Sequence, residues 1–296
     1  MTENPAGEFK SKVERMLQRG PQLSTLATVL RKMQVIASDE RSSAKDLANV
    51  IRADSVLTSK VLKLANSASF AIERHIASVD EAVVILGYSH LKAVTSSVLA
   101  ADVLCHRGSC RKLDRVSMWR HSLGTAAACG YLQKHQGKEK MGTDLFTAGL
   151  LCNIGRVVLD QWFGPECELI HQALDRKGLS CLDAERAILG VTHAEIGFWA
   201  AEAWHFDEGL AQVIRHHHGP VSNRAADIVN LAYVITQAQR IGSPGDPGIV
   251  PMLPGLLDRL GMDDFALDGV LRQLVQVFRE LNPIFENLAV AGTAPG

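Results

Sequence analysis

Capping signals recur along this chain at intervals that fit helices and little else: Ser43-x-x-Asp46, Ser78-x-x-Glu81 and Thr192-x-x-Glu195. In each, a hydroxyl able to accept from the backbone N–H three residues on precedes an apolar run with helical spacing. Leu47, Val50 and Ile51 follow the first on one face. Asp54 is placed to cap a second helix carrying Leu57, Val61, Leu62 and Ala65, and Gly87 to end the helix begun after Ser78. Ser89 opens another, with Leu91, Val94, Val98 and Leu99 apolar, and Ser117 one that runs through Tyr131. Thr143 or Asp144 starts the helix holding Cys152, and Asp207 one that runs into His216-His217-His218, where Gly219-Pro220 stops it. No alternating run is long enough for a convincing strand. Aromatic residues make up only 5% of the chain while Ala and Leu abound, which favours close-packed helices over a β-sandwich. The expected fold is all-α.

Punctuation also divides the chain. Residues 1–20 read as a polar N-terminal extension and 21–240 as a helical body with halves at 21–115 and 116–240. Residues 241–257 read as a Pro/Gly linker built on SPGDPGIVPMLPG. A C-terminal helical segment, 258–290, follows. It carries Val270, Leu271, Leu274, Val277, Phe278 and Leu281 at helical spacing between Asp268 and Asn287, and is expected to pack onto the body or a partner, which permits a homodimer. The tail, 291–296, is expected to be disordered. No internal repeat is visible.

Charge narrows the function. With 31 basic and 32 acidic residues the net charge is −1, so the chain lacks the positive field that nucleic acid or an acidic membrane attracts. Residues 42–66 have the cadence of a helix-turn-helix, yet Asp54 stands at the start of the second helix and only Lys60 and Lys63 offer positive charge on it. No nucleic-acid partner is expected. Apolar stretches such as Leu231–Ile235 fall short of a membrane span, and residues 1–20 are not an apolar leader. The six cysteines form no Cys-x-x-Cys pair, which fits core fillers in a reducing cytoplasm. Phosphate-binding GxxxxGK[ST], dinucleotide GxGxxG and GxSxG elbow motifs are all absent.

The histidines carry the remaining signal. Singly, His121 on an apolar helix, His193 in the first turn of its helix and the 216–218 run at a helix end each have an ordinary structural role. Their order with the surrounding motifs is more specific. WRHS at 119–122, AGLLCNIGRVVL at 148–159, LGVTHAEIG at 189–197 and RHHHGP at 215–220 resemble the successive motifs of the HD superfamily, and its bacterial HDOD branch above all. IRADSVLTSKVLKLANSASF at 51–70 and IASVDEAVVILGYSHLKAV at 76–94 resemble the N-terminal helices of that domain. The resemblance runs from about residue 22 to about residue 240 and implies a multi-helix HDOD bundle with an additional C-terminal helix.

Enzymatic relatives in the superfamily hold one or two divalent metals through a first-helix His, a His-Asp doublet and a later Asp, and they hydrolyse phosphate esters. Carried over by position, the first His is His121, with His193 and His217 (or a neighbour in its run) as additional ligands. The doublet falls on Cys152-Asn153, and the late Asp falls near Tyr233, with Asp227 the nearest substitute. A hydrolytic pair of ions needs a bridging carboxylate, which Asn153 cannot supply. A single tetrahedral ion such as zinc, held by His121, Cys152, His193 and His217, would have four protein ligands and no open position for an activated water, so it would be structural. Glu195 belongs to a helix cap. The resemblance therefore implies a pseudoenzyme in bacterial signal transduction with no catalytic residue and no required cofactor. It would work through contacts with a signalling protein or through a small ligand in the vestigial pocket of His121, Cys152, Asn153, His193 and His217. A degenerate phosphohydrolase recruiting Asp227 or Asp144 is the alternative, and no Gly-Tyr-Pro follows the His run to suggest cyclic-dinucleotide cleavage.

Overall fold

In the computed structural model, residues 5–19, 44–66, 75–105, 108–135, 143–219, 223–246 and 248–291 are described. Every regular element among them is an α-helix. The first half comprises α1 (Pro5–Arg19), α2 (Ala44–Arg52), α3 (Ser55–Ala65) and α4 (Val79–Leu104). Ser43 lies outside the described residues. Asp54 accepts from the Leu57 N–H at 3.0 Å and so caps α3. The Ser78 hydroxyl accepts from the Glu81 N–H at 3.2 Å, and the Glu81 carboxylate reaches back to the Ala77 N–H at 2.7 Å. Asn66 explains the Leu-Ala-Asn turn that ends α3: its amide accepts from the Ile76 N–H at 2.7 Å and donates to the Ile76 carbonyl at 2.8 Å.

Gly87 adopts φ 72°, where a side chain would be strained, and breaks the helical path as expected. The two helical segments meet at this kink and share the label α4, with Ser89 in the first turn of the second. Residues Val79–Ala101 of α4 are long and apolar enough to cross a membrane by length and composition, with mean hydropathy 1.4, a longer apolar run than the sequence reading recognised. Within the fold, α4 lies against α2 and α3 and buries Leu91, Val94 and Val98.

The second half comprises α5 (Arg115–His135), α6 (Leu145–Leu151), α7 (Ile154–Trp162), α8 (Gly164–Lys177), α9 (Cys181–Leu189), α10 (His193–Ala203), α11 (Glu208–His216) and α12 (Arg224–Ala238). The cap of α5 is Asp114 rather than Ser117: its carboxylate accepts from the Ser117 N–H at 3.0 Å, which places Ser117 inside the first turn. Asp144, not Thr143, caps α6. The single helix expected around Cys152 is two helices, α6 and α7, with Cys152-Asn153 at their junction. Helix α12 is buried along nearly its whole length and packs on α5, α6 and α11, so the centre of the fold lies around Trp119, Leu123 and Tyr233.

One buried ion pair organises the loop between α4 and α5. Arg115, 3% exposed, donates to the Asp160 carboxylate at 2.7 Å and to the Leu104 carbonyl at 2.8 Å. The other Asp160 oxygen accepts from the Cys110 N–H at 2.8 Å, and its carbonyl accepts from the Ser109 N–H at 3.0 Å. Such a pair is stabilising only while both partners stay.

Two terminal segments differ from their sequence reading. The polar-looking N-terminus contains a narrow apolar stripe, Phe9, Val13 and Leu17, which α1 buries against α9 and α10, with the Phe9 and Phe163 ring centres 4.9 Å apart. The Pro/Gly segment after Gly242 is fastened to the body by side chains. Arg156 donates to the Pro244 carbonyl at 2.7 Å, and the Gln237 amide bonds the Gly248 carbonyl at 2.7 Å and the Val250 N–H at 2.8 Å. Beyond it lie α13 (Leu256–Leu260) and α14 (Asp264–Ala291). Helix α14 packs on α5 and α3 and buries Leu274 and Phe278 there. Residues 292–296 lie outside the described residues.

Candidate ligand and metal site

His193 and His217 come together in the fold, and His218 joins them: donor atoms of the three imidazoles all lie within 4.8 Å of one another. Their ring centres are 5.4 Å (His193–His217), 5.1 Å (His193–His218) and 4.0 Å (His217–His218) apart. His193 and His217 are fully buried, while His218 is partly exposed and gives the group an edge toward solvent.

Each of the first two rings is oriented by a second contact. Glu185, from α9, turns back across the Gly190 bend so that its carboxylate accepts from the His193 backbone N–H at 2.8 Å and from Nδ1 at 2.8 and 2.9 Å. An ionised carboxylate can only accept, so the proton sits on Nδ1 and Nε2 faces the cluster. Burial raises the Glu185 pKa, but His193 and Arg156 outweigh it and hold the carboxylate down to about 2. His217 Nδ1 stands 2.7 Å from the Ile214 carbonyl, which fixes its tautomer in the same way. Burial and the neighbouring His193 push the His217 pKa down to about 3, so its ring is neutral and Nε2 carries a lone pair. Burial, His217 and His193 drive His218 well below its ordinary value.

Several buried polar atoms have no protein hydrogen-bond partner: His193 Nε2, His217 Nε2, both His218 nitrogens, both Asn153 amide atoms and Asn230 Oδ1. Buried polar groups are rarely left so, and the four imidazole nitrogens among them belong to one cluster. Asn153 stands at the junction of α6 and α7, and α7 packs closely on α10. Gly155 permits it, because a Cβ on Gly155 would lie 1.9 Å from the His193 carbonyl oxygen, so only glycine allows α7 this close to α10. Asn153 occupies the N-cap position of α7 but makes no side-chain cap bond.

His121 and Cys152 fall outside the set of three. The His121 ring packs edge-on to Tyr233 at 4.6 Å, and Tyr233 in turn contacts His218 at 4.8 Å. Burial and Arg156 lower the His121 pKa to about 3. Cys152 directs its thiol to the Gly149 carbonyl at 3.3 Å, and burial pushes its pKa up to about 12, the behaviour of a core thiol. Two charged residues that the sequence reading missed bound the cluster. Arg156 and Asp246, each 4% exposed, pair at 2.9 Å, and the Tyr233 hydroxyl donates to the same Asp246 oxygen at 3.1 Å.

These donors suit a single borderline ion held by imidazole nitrogens, with Glu185 and the Ile214 carbonyl as the outer contacts that orient ligating histidines. They do not suit a carboxylate-bridged pair. Glu185 is committed to His193 and Asp246 to Arg156 and Tyr233. Asp227 receives two bonds from Arg259, at 2.9 and 2.7 Å, and Asp144 caps α6 and pairs with Lys92 at 3.3 Å. Glu195 closes the capping box of α10 with Thr192, as its spacing indicated.

Comparison with known proteins gives the same picture of the fold. The family model for the HDOD domain matches residues 23–220. A Geobacter sulfurreducens HDOD domain protein of unknown function is 25% identical, with TM-score 0.68 over 89% of this chain and 90% of its own. A Marinobacter aquaeolei protein, provisionally named a signal transduction protein, superimposes with TM-score 0.73 at 22% identity over 93% of this chain and 61% of its own. An uncharacterized protein of Treponema pallidum is 28% identical over 173 residues, 58% of this chain, and that match spans 33% of the longer relative. With the family model covering most of its length and the helical architecture matching, this chain belongs to the HDOD domain family.

Proposed function

We propose that this protein is a non-catalytic regulatory HDOD module of bacterial signal transduction, in which the histidine cluster seats one ion or a small polar ligand and the helical surface meets a signalling protein. The observation that carries this reading is the electrostatic make-up of the cluster. Two of its imidazoles, His193 and His217, are oriented, and His217 is neutral, while every carboxylate named around the cluster is already paired. Such a cluster offers lone pairs and amide groups to a ligand. It offers no free anion to hold two divalent ions a few ångströms apart or to take a proton from water. Glu185 and Asp246 act in this reading as positioning residues, one for a ring and one for a buried cation.

The test is turnover. Purified full-length protein, incubated with phosphomonoester, phosphodiester, nucleotide and cyclic-dinucleotide substrates in the presence of manganese or iron, is expected to show no rate above buffer. Native mass spectrometry of the same preparation is expected to show at most one ion or small molecule at the cluster, lost in His217→Asn. Metal-dependent hydrolysis that disappears in His193→Asn would overturn the proposal.

A further inference from the structure

A second group of soft donors lies elsewhere in the fold and shares no residue with the histidine cluster. Cys110, in the loop between α4 and α5, meets Cys167 and His171 from α8, and one ligand atom from each lies within 4.8 Å of the other two. Both cysteines are 5% exposed, and His171 is partly exposed. We propose that these three residues form a binding site for one thiophilic d10 cation, zinc(II), with Cys110 and Cys167 bound as thiolates and His171 through its imidazole.

The arrangement is built rather than incidental. Cys167 and His171 stand four residues apart on α8 and therefore share a face. Cys110 is brought to them by a loop whose backbone is pinned at three successive residues. Ser109 N–H donates to the Asp160 carbonyl at 3.0 Å, Cys110 N–H to the Asp160 carboxylate at 2.8 Å, and Arg111 N–H to the Glu168 carboxylate at 2.6 Å. Glu168 is the residue after Cys167, so the loop is fastened to the very turn that carries the second thiol. A zinc ion with ligands at about 2.3 Å from sulfur and about 2.0 Å from nitrogen sets its donors within about 4 Å of one another, so a small side-chain movement closes the set.

A cleft adjoins the site on the His171 side. A cavity of about 160 Å³ adjoins His171 and is lined also by Lys112, Asp114, Asp175 and Gly245, which leaves room for a water ligand. Charge favours the ion as well: two thiolates neutralise zinc, and their protons leave to the buffer on binding, with no oxidation or reduction.

The experiment uses the full chain, reduced and freed of metal, and titrated with cobalt(II) as a spectroscopic substitute for zinc. Cobalt is expected to produce a thiolate-to-metal charge-transfer band that zinc displaces. The band should vanish in Cys110→Ser and Cys167→Ser, and zinc affinity should fall by more than about 10-fold in His171→Asn, since even outer-contact losses cost that much. The band should persist in His217→Asn, which separates this site from the histidine cluster and from the function proposed there. Should a Cys→Ser variant fail to fold, zinc must instead protect Cys110 and Cys167 of the unaltered chain from alkylation, read peptide by peptide by mass spectrometry. Cobalt bound without a thiolate band, a band surviving both Cys→Ser changes, or two thiols alkylated equally with and without zinc would each overturn the proposal.

Discussion

Acid should unfold this protein through its buried imidazoles before its carboxylates titrate. His121 and His217 ionise near 6.5 in an unfolded chain, but burial, first of all, holds both down to about 3 in the fold. Between those values the unfolded chain binds a proton that the folded chain refuses, so stability is full well above the unfolded value and falls as pH drops toward the folded one. Each group contributes a slope of about 1.4 kcal/mol per pH unit once the unfolded form is protonated. From about pH 7 to about pH 4.5 each histidine therefore costs roughly 2.5 kcal/mol and the pair roughly 5 kcal/mol, a large part of a typical total of about 5–15 kcal/mol. Exposed carboxylates titrate alike in the folded and unfolded chain and so drop out of the difference, whereas His218, also held below its ordinary value, adds to it. Glu185, held at about 2, adds its loss only below its ordinary value of 4.5.

Urea denaturation followed by circular dichroism, in chelator, at the two pH values should show this loss. His217→Asn should reduce it by that ring's own share, roughly 2.5 kcal/mol, while His121 and the likewise depressed His218 keep the rest. A difference below about 1 kcal/mol, or an unchanged pH dependence in the variant, would refute the assignment of buried neutral imidazoles.

Three further outcomes follow from the packing. Asp160→Asn removes the anion facing Arg115 inside the fold and is expected to cost about 3–5 kcal/mol in the same urea assay, because the guanidinium stays buried without a counter-charge. Gly155→Ala places a methyl group 1.9 Å from the His193 carbonyl oxygen and should cost at least about 1–3 kcal/mol while shifting the His193 ring resonances in NMR. Leu274→Ala should lower global stability by about 2–5 kcal/mol, as for any core leucine, whereas a freely hinged C-terminal helix would leave the main unfolding transition unmoved.

Local signals were legible wherever a cap and an apolar stripe coincided. Asp54, Ser78, Thr192 and Asp207 each cap the helix their spacing implied. Reading failed where a nearer group won the same bond, as Asp114 did over Ser117, and where a stripe was diluted by charge, as in α1, whose three buried residues sit among lysines, glutamates and arginines. The Pro/Gly segment looks like a linker because its composition is that of a loop, yet its carbonyls and Asp246 are taken by Gln237 at the end of the preceding helix and by Arg156 from far along the chain, pairings no local pattern encodes. In the cluster, His193 and His217 were visible through motif order. Glu185 and Arg156 were not, since both are ordinary charged residues on amphipathic helices until the fold turns them inward. Cys110 and Cys167 are separated by 57 positions and carry no motif, so only the loop pinned by Asp160 reveals that they meet.

The anchoring of residues 244, 246, 248 and 250 has a consequence for how the body and its C-terminus communicate. Asp246 is the counter-ion of a guanidinium whose field bears on His121, His217 and His218. Peeling that strap from the surface would strand a positive charge among imidazoles and release the tyrosine hydroxyl bonded to the same carboxylate. On the function proposed above, a protein that gripped α14 and pulled would therefore change the ligand affinity of a cluster it never touches, and a ligand settling there would stiffen the C-terminal attachment by the same free energy.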